Sequence, residues 1–346
     1  MRTRATVLLL ASVLALPTTP APASAVPSPG APQPVTRTAD PATGSVLVIS
    51  VDGLSPRALT QLGRAGAPHL HRFLRQGAST RNARTVVEST STLPNHTSMV
   101  TGRRVDASTG GHGVTWNHTA QAEAETVHRA AGEHVDSLFT TLDAAGAESA
   151  VFVGKPKFRL WQRSWGRTID RMTVRRDDAR LARAVRRDLR RHRRELRFWH
   201  VATPDRAGHR AGFRSRRYLA AVEQVDAMLG RLLRTLRRPG LRGTVTVLLT
   251  SDHGAHAGRS HDDEATRGNQ RVIFAALGPG VSRGADLYAL NSDHRRAPGR
   301  SQPGYDAEVP PVRNAEVANL ALDLLGLPAV ADSEINAAQD LVLTSP

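Results

Sequence analysis

The sequence predicts an α/β fold with a mainly parallel central sheet and helices on both faces. Short β-branched runs alternate with longer helical patterns along the chain, the arrangement that builds parallel sheets from crossover connections. Three of those runs end on an aspartate, and the carboxyl ends of neighbouring strands in such sheets open the crevice where ligands bind. A length of 346 residues with 40% hydrophobic content supports a full core in one large domain or two modest ones.

In chain order, the N-terminus reads as a secretory signal over residues 1–25. Arg2 and Arg4 make a basic start, an apolar stretch covers 5–16, and Ala23-Ser24-Ala25 offers a small-residue cleavage site, with cleavage expected after Ala25. The apolar stretch is short for a membrane span and no other segment reaches that length, so the expectation is a secreted, extracellular protein without a transmembrane anchor. Residues 26–43, VPSPGAPQPVTRTADPAT, are Pro-rich and lack apolar periodicity, which predicts a flexible leader. A single catalytic domain is expected over 44–346.

The expected strands are SVLVISV before Asp52, ESAVFVG around Val151, LRFWHVAT before Asp205, TVTVLLTS before Asp252 and RVIFAALG around Ile273. Helical patterns cover 217–237 and 315–325. In DDARLARAVRRDLRRHRREL (177–196), Leu181, Val185, Leu189 and Leu196 share roughly one face, predicting an amphipathic crossover helix with an arginine-rich outer surface. That surface, over 177–197, reads as a solvated helix face or as a polyanion contact; without interleaved aromatics it shows no nucleic-acid recognition module. No internal repeat is present.

Cysteine is absent, which excludes disulfides, a thiolate nucleophile and Cys-ligated metal. The net charge of +16 falls to about +14 once Arg2 and Arg4 leave with the signal, and such a field attracts anions. Lysine occurs only at 155 and 157, so the charge is almost wholly arginine and in part reflects coding composition.

Asp52, Asp205 and Asp252 close three strand-like runs, with His209 four residues after one and His253 next to another. His261 adds a third imidazole, with His256 as its rival. Three aspartates and three histidines suffice for two divalent ions with open positions left for substrate, the arrangement of two-metal hydrolases. A nucleophile is available in ESTSTLPNHTSMVTG (88–102): Pro94-Asn95 read as a turn, and HTSMVTG as a helix start closed by Gly102. A hydroxyl at a helix N-terminus suits attack on an anionic phosphorus centre. Thr92 is the candidate, Ser89, Thr90 and Ser91 are rivals, and helix capping is the alternative role for all four.

STLPNH followed by SMVTG, with VISVDG upstream and DRAGH, SDHG and His261 downstream, resembles the nucleotide pyrophosphatase/phosphodiesterase branch of the alkaline phosphatase superfamily. The resemblance covers about 44–346, includes a closing helix in VRNAEVANLALDLLGLP, and favours His261 over His256 through its spacing to VIFAALGPG. It implies an alkaline phosphatase-like fold and two zinc ions, one held by Asp205, His209 and His261, the other by Asp52, Asp252, His253 and the Thr92 hydroxyl. It further implies Thr92 as nucleophile, a phosphothreonine intermediate, and Asn95 as hydrogen-bond donor to a phosphoryl oxygen. The substrate would be a nucleotide or other phosphodiester or phosphoanhydride.

Several features depart from the family or leave choices open. Leu93 stands where many nucleotide-cleaving relatives carry an aromatic, which weakens the case for a stacking platform. Lys155 and Lys157 lie in GKPKF, a basic loop near the site in relatives, and read as surface lysines or substrate contacts. His96 and His112 read as structural hydrogen-bonding residues or as supports for the ligands. Trp116-Asn117 reads as core packing or pocket lining, and His69, His71, His118, His128, His134, His192 and His200 are given no role. The competing functions are a phosphomonoesterase, a phosphonate hydrolase of the phosphonoacetate type, and a non-enzymatic exported polyanion-binding protein. The absence of Cys and the reading STLPNH argue against a sulfatase. The ligand set suits zinc, with manganese or iron as substitutes.

Overall fold

The computed structural model describes residues 44–119 and 125–345; the expected signal (1–25) and leader (26–43) lie outside the described residues. Eight strands form one sheet: β1 (Ser45–Val51), β2 (Ala78–Arg84), β3 (Ser149–Val153), β4 (Arg171–Val174), β5 (Leu196–Val201), β6 (Val245–Thr250), β7 (Arg271–Leu277) and β8 (Ala285–Asp286). Their order is β4-β3-β5-β1-β6-β7-β2-β8. From β4 to β6 every pairing is parallel. The sheet is nevertheless mixed, because β7 runs antiparallel to both β6 and β2.

Strand β1 lies between β5 and β6 and is buried on both faces. Val46 and Val48 enter one apolar cluster with the Thr92–Thr101 and Val317–Asp323 helices. Leu47, Ile49 and Val51 enter the other, with the Asp178–Arg191 and Arg216–Leu236 helices. Alternation of side chains along a strand makes one apolar run serve both layers.

All five expected strands are present. β2 (ASTRNAR) and β4 (RMTV) carried no apolar run. β2 is ordered by its antiparallel ladder to β7, with an irregularity between Thr80 and Ala83, and β4 is a half-exposed edge. The arginine-rich helix spans Asp178–Arg191, capped by the Asp177 carboxylate accepting from Arg180 N–H. It buries Leu181, Val185 and Leu189, but Leu196 belongs to β5 and not to the helix face. The 217–237 pattern is the Arg216–Leu236 helix, and 315–325 resolves into a 3-10 turn, Asn314–Glu316, followed by the Val317–Asp323 helix. Pro94-Asn95 is no separate turn, since both lie in the first turn of the Thr92–Thr101 helix. That helix ends at Gly102, whose φ of 65° is the left-handed conformation glycine accepts without strain. Among the described residues no helix is long and apolar enough to cross a membrane.

Candidate metal centre and active site

The carboxyl ends of β1 and β6, with the helix that follows β5, supply the centre. Asp52 follows β1 directly, Asp205 lies in the first turn of the Thr203–Ala211 helix, and Asp252 and His253 follow β6. Because β1 pairs with both β5 and β6 in parallel, residues far apart in sequence arrive at one edge. His253 Nε2 is 3.3 Å from Asp52 Oδ1, 3.5 Å from Asp252 Oδ2 and 3.7 Å from Asp205 Oδ1. Asp205 Oδ1 also lies 3.2 Å from His209 Nε2 and 3.4 Å from His261 Nε2. The ligand atoms fall into two groups, Asp52/Asp252/His253 and Asp205/His253/His261. His209 stands at the mouth, its Nε2 3.2 Å from that of His261. His256, the rival to His261, is exposed, and no contact of its side chain places it in this cluster.

The orientation of the three imidazoles follows from the backbone. His253 Nδ1 faces Gly254 O at 2.7 Å, His261 Nδ1 faces Thr90 O at 2.9 Å, and His209 Nδ1 faces Arg259 O at 2.7 Å. A carbonyl only accepts, so each Nδ1 carries the proton and each Nε2 is directed inward, the arrangement that fixes metal-ligating histidines. Asp52 Oδ1, Asp205 Oδ1, Asp252 Oδ2 and His253 Nε2 are buried without a hydrogen-bond partner. Orphaned polar atoms of this kind are costly, and a pair of divalent cations among them would satisfy all four. The residues therefore fit two hard or borderline divalent ions.

The electrostatics agree. Burial alone would raise the Asp52 carboxyl, but the Lys155 ammonium, a hydrogen bond from His200 and the adjacent His253 imidazole hold it well below the usual carboxylate range. Burial, then the Asp52 charge, pushes Asp252 up to about 7. Burial would depress His253, yet the charge of Asp252 and the adjacent carboxylate of Asp52 push it up to about 9. Three carboxylates crowded in a dry site demand positive charge.

The structure corrects several roles. Lys155 is no surface lysine: its Nζ is 2.6 Å from both Asp52 Oδ2 and Asp205 Oδ2 and donates to Thr92 Oγ1 at 3.2 Å. Lys157 Nζ donates to the main-chain and side-chain oxygens of Asn117. His200, given no role from sequence, accepts from Gly154 N–H at Nδ1 (3.1 Å) and thus donates from Nε2 to Asp52 Oδ2 (2.9 Å). His96 Nδ1 donates to Thr92 O at 2.8 Å and lies 3.5 Å from Asp252 Oδ2, while Ser50 Oγ meets its Nε2 at 2.8 Å. His112 bonds Ser98 and Val114 N–H, and is structural.

Thr92 is the first residue of its helix, buried, with Ser91 as the capping position. Among the rivals, Thr90 donates its hydroxyl to His261 O and Ser89 Oγ accepts from Ser91 N–H. Asn95 does not point its amide at this hydroxyl's surroundings. Its Nδ2 donates to Ser89 O (2.7 Å) and Ser91 O (3.2 Å), and its Oδ1 accepts from Val86 N–H and Asn314 Nδ2. Both amide hydrogens are thereby used in holding the segment before Thr92. Asn117 has the opposite disposition: its Oδ1 accepts from Leu93 N–H at 3.0 Å, next to Thr92, and from Lys157. Among the described residues its Nδ2 has no partner. The sequence signal for it was weak, a single Asn in a loop 25 residues beyond Thr92. Leu93 is fully buried in the core, so that position contributes no substrate platform.

A model of the type I phosphodiesterase / nucleotide pyrophosphatase family matches residues 46–320. The bis(5'-adenosyl)-triphosphatase enpp4 of Xenopus laevis is 26% identical over 263 residues, 69% of this chain and 51% of that protein. The chain thus spans about half the length of that curated relative. Murine ectonucleotide pyrophosphatase / phosphodiesterase 5, an inactive variant in complex with AMP, superposes with a TM-score of 0.63 at 17% identity, over 86% of this chain and 99% of that one. The human protein of the same name gives 0.63 at 16% identity, over 87% and 100%. Lipoteichoic acid synthase LtaP from Listeria monocytogenes gives 0.58 at 12% identity, over 88% and 75%. The structural likenesses establish the alkaline phosphatase-like fold, and the family match, which spans most of the chain, establishes more: this chain belongs to the type I phosphodiesterase / nucleotide pyrophosphatase family.

Proposed function

We propose that this chain is a secreted two-metal hydrolase of phosphodiester or phosphoanhydride bonds, acting on a nucleotide or similar small phosphorylated substrate through a phosphothreonine intermediate. The observation that carries the proposal is the set of four orphaned buried ligand atoms gathered beside a buried threonine at a helix N-terminus. Asp205, His209 and His261 would hold one ion, and Asp52, Asp252, His253 and Thr92 Oγ1 the other, with zinc the ion best suited to the donors. When bound, the ions would neutralise phosphoryl charge and lower the pKa of the groups they touch.

The chain's own residues then do the following. Thr92 Oγ1 loses its proton and bonds to phosphorus as the bond to the leaving oxygen breaks; water later cleaves the phosphothreonine and restores the hydroxyl. The Asn117 amide donates to a non-bridging phosphoryl oxygen, the role expected of Asn95 from sequence. Asn95 holds the turn from which Thr92 projects, and His96 fixes the Thr92 carbonyl. Lys155, already bonded to Thr92 Oγ1, adds positive charge where negative charge develops. Secretion rests on the signal-like pattern at 1–25, and the folded domain on 44–346. The test is hydrolysis of bis-p-nitrophenyl phosphate against p-nitrophenyl phosphate by zinc-loaded protein. Preference for the diester supports the proposal; preference for the monoester would replace it with a phosphatase.

A further inference from the structure

A second feature lies apart from the metal centre, at the edge of the sheet. A cleft of about 310 Å³ is lined by Arg171, Thr173 and Arg175 from the β4 segment and by Arg180, Arg183 and Arg187 from the Asp178–Arg191 helix. β4 is the terminal strand, three strand spacings or about 14 Å from β1. All five guanidiniums belong to exposed residues. Among the described residues, only Arg180 has an acidic partner, Asp177 at 3.3 Å, and Arg171, Arg175, Arg183 and Arg187 make no side-chain hydrogen bond or ion pair. The helix's carboxylates are directed elsewhere: Asp178 bonds Ala202 N–H, Thr203 and Arg206, and Asp188 bonds Arg194 and Arg197.

Arg180, Arg183 and Arg187 recur at helical spacing along about 10 Å, and Arg171 and Arg175 are separated by about 13 Å of extended chain. Two parallel rows of guanidiniums, with Asp177 beside Arg180 at the start of the helix row, thus flank one cleft. Positive side chains on an edge strand also oppose edge-to-edge association, but that role needs none of the three helix arginines. No aromatic lines the cleft, so it offers no platform for bases. Arg175 N–H bonds Val153 O at the carboxyl end of β3, the same edge of the sheet that carries Lys155.

We propose that this cleft binds a linear polyanion whose charge is carried by phosphate groups, with guanidiniums on both sides engaging successive phosphates. The choice of phosphate over other anions rests on the phosphodiesterase reading; the existence of an anion site does not. The test is titration of short-chain inorganic polyphosphate into Thr92→Ala protein at about 0.15 M salt, with and without Arg183→Ala/Arg187→Ala. Arg283→Ala/Arg300→Ala, two exposed arginines outside the cleft, serves as a charge-matched control. The cleft pair should weaken binding tenfold or more and lower the salt slope by about two, while the control changes affinity less than twofold. A cleft loss below tenfold, a loss matched by the control, or no binding to the parent would overturn the assignment. The cleft pair in the Thr92 background should turn over bis-p-nitrophenyl phosphate at the parental rate. That readout separates failure of the cleft from failure of the diesterase reading.

Discussion

Replacing His200 with leucine tests the site at a residue that never touches the ions. His200 is fully buried, and its two nitrogens join Gly154 N–H to Asp52 Oδ2. Leucine fills the space but leaves the buried Gly154 amide without its partner and leaves Asp52 Oδ2 to Lys155 alone. An orphaned buried neutral donor costs about 1–3 kcal/mol and the lost hydrogen bond to the carboxylate adds to it, so the loss should be about 2–4 kcal/mol, read as a lowered midpoint in urea denaturation. Asp52 would also lose the bond that orients its free Oδ1 toward His253, and loss of such a supporting bond typically weakens metal binding 10- to 100-fold. Competition with a chromogenic zinc chelator measures that. His200→Gln, which can accept and donate across the same gap, should recover part of both effects. Zinc affinity within threefold of the parent in folded His200→Leu protein would refute the argument that this histidine positions Asp52.

Three further outcomes are expected. Thr92→Ala should lower turnover of bis-p-nitrophenyl phosphate by on the order of 10³-fold or more while the protein still binds zinc, as measured by metal analysis after gel filtration. Asn117→Ala should reduce kcat by about 10²–10³-fold with little change in stability. Asn95→Ala should instead destabilise by about 2–4 kcal/mol through its four lost bonds, so kinetics and melting together distinguish the two. The third concerns pH. The His253 value is raised from its ordinary 6.5 to about 9, so its contribution to folding is complete below 6.5 and is lost as pH rises through 9. Asp252, raised to about 7, adds to the same trend up to that pH. Zinc replaces both protons and binds more tightly as they leave. The gap in Tm between zinc-loaded and chelator-treated protein should therefore widen from about pH 6.5 to 9, and a constant gap would contradict it.

The interior strands were legible because a strand buried on both faces must be a continuous apolar run, and β1, β3, β5, β6 and the antiparallel β7 are such runs. The aspartates and histidines that gather at the site were legible because charged residues that end such runs have few reasons to be there other than a site. β2 and β4 were not, since they owe their order to partners rather than to their own polar sequences. The Leu196 boundary was missed because a strand-facing leucine falls on the helix stripe by period alone.

By itself the sequence determined which chemistry is available: no thiols, a cluster of aspartate and histidine at strand ends, and a threonine at a helix start. Tertiary structure decided which amides and cations serve that chemistry. Asn95 was the donor expected from sequence, yet it spends its hydrogens on Ser89 O and Ser91 O, while Asn117 Nδ2 has no partner among the described residues. Lys155 and His200 become parts of the centre only because β3, β5 and β1 lie side by side. A hydrogen bond depends on where its partner lies in space, and sequence spacing specifies that only within a single helix or strand.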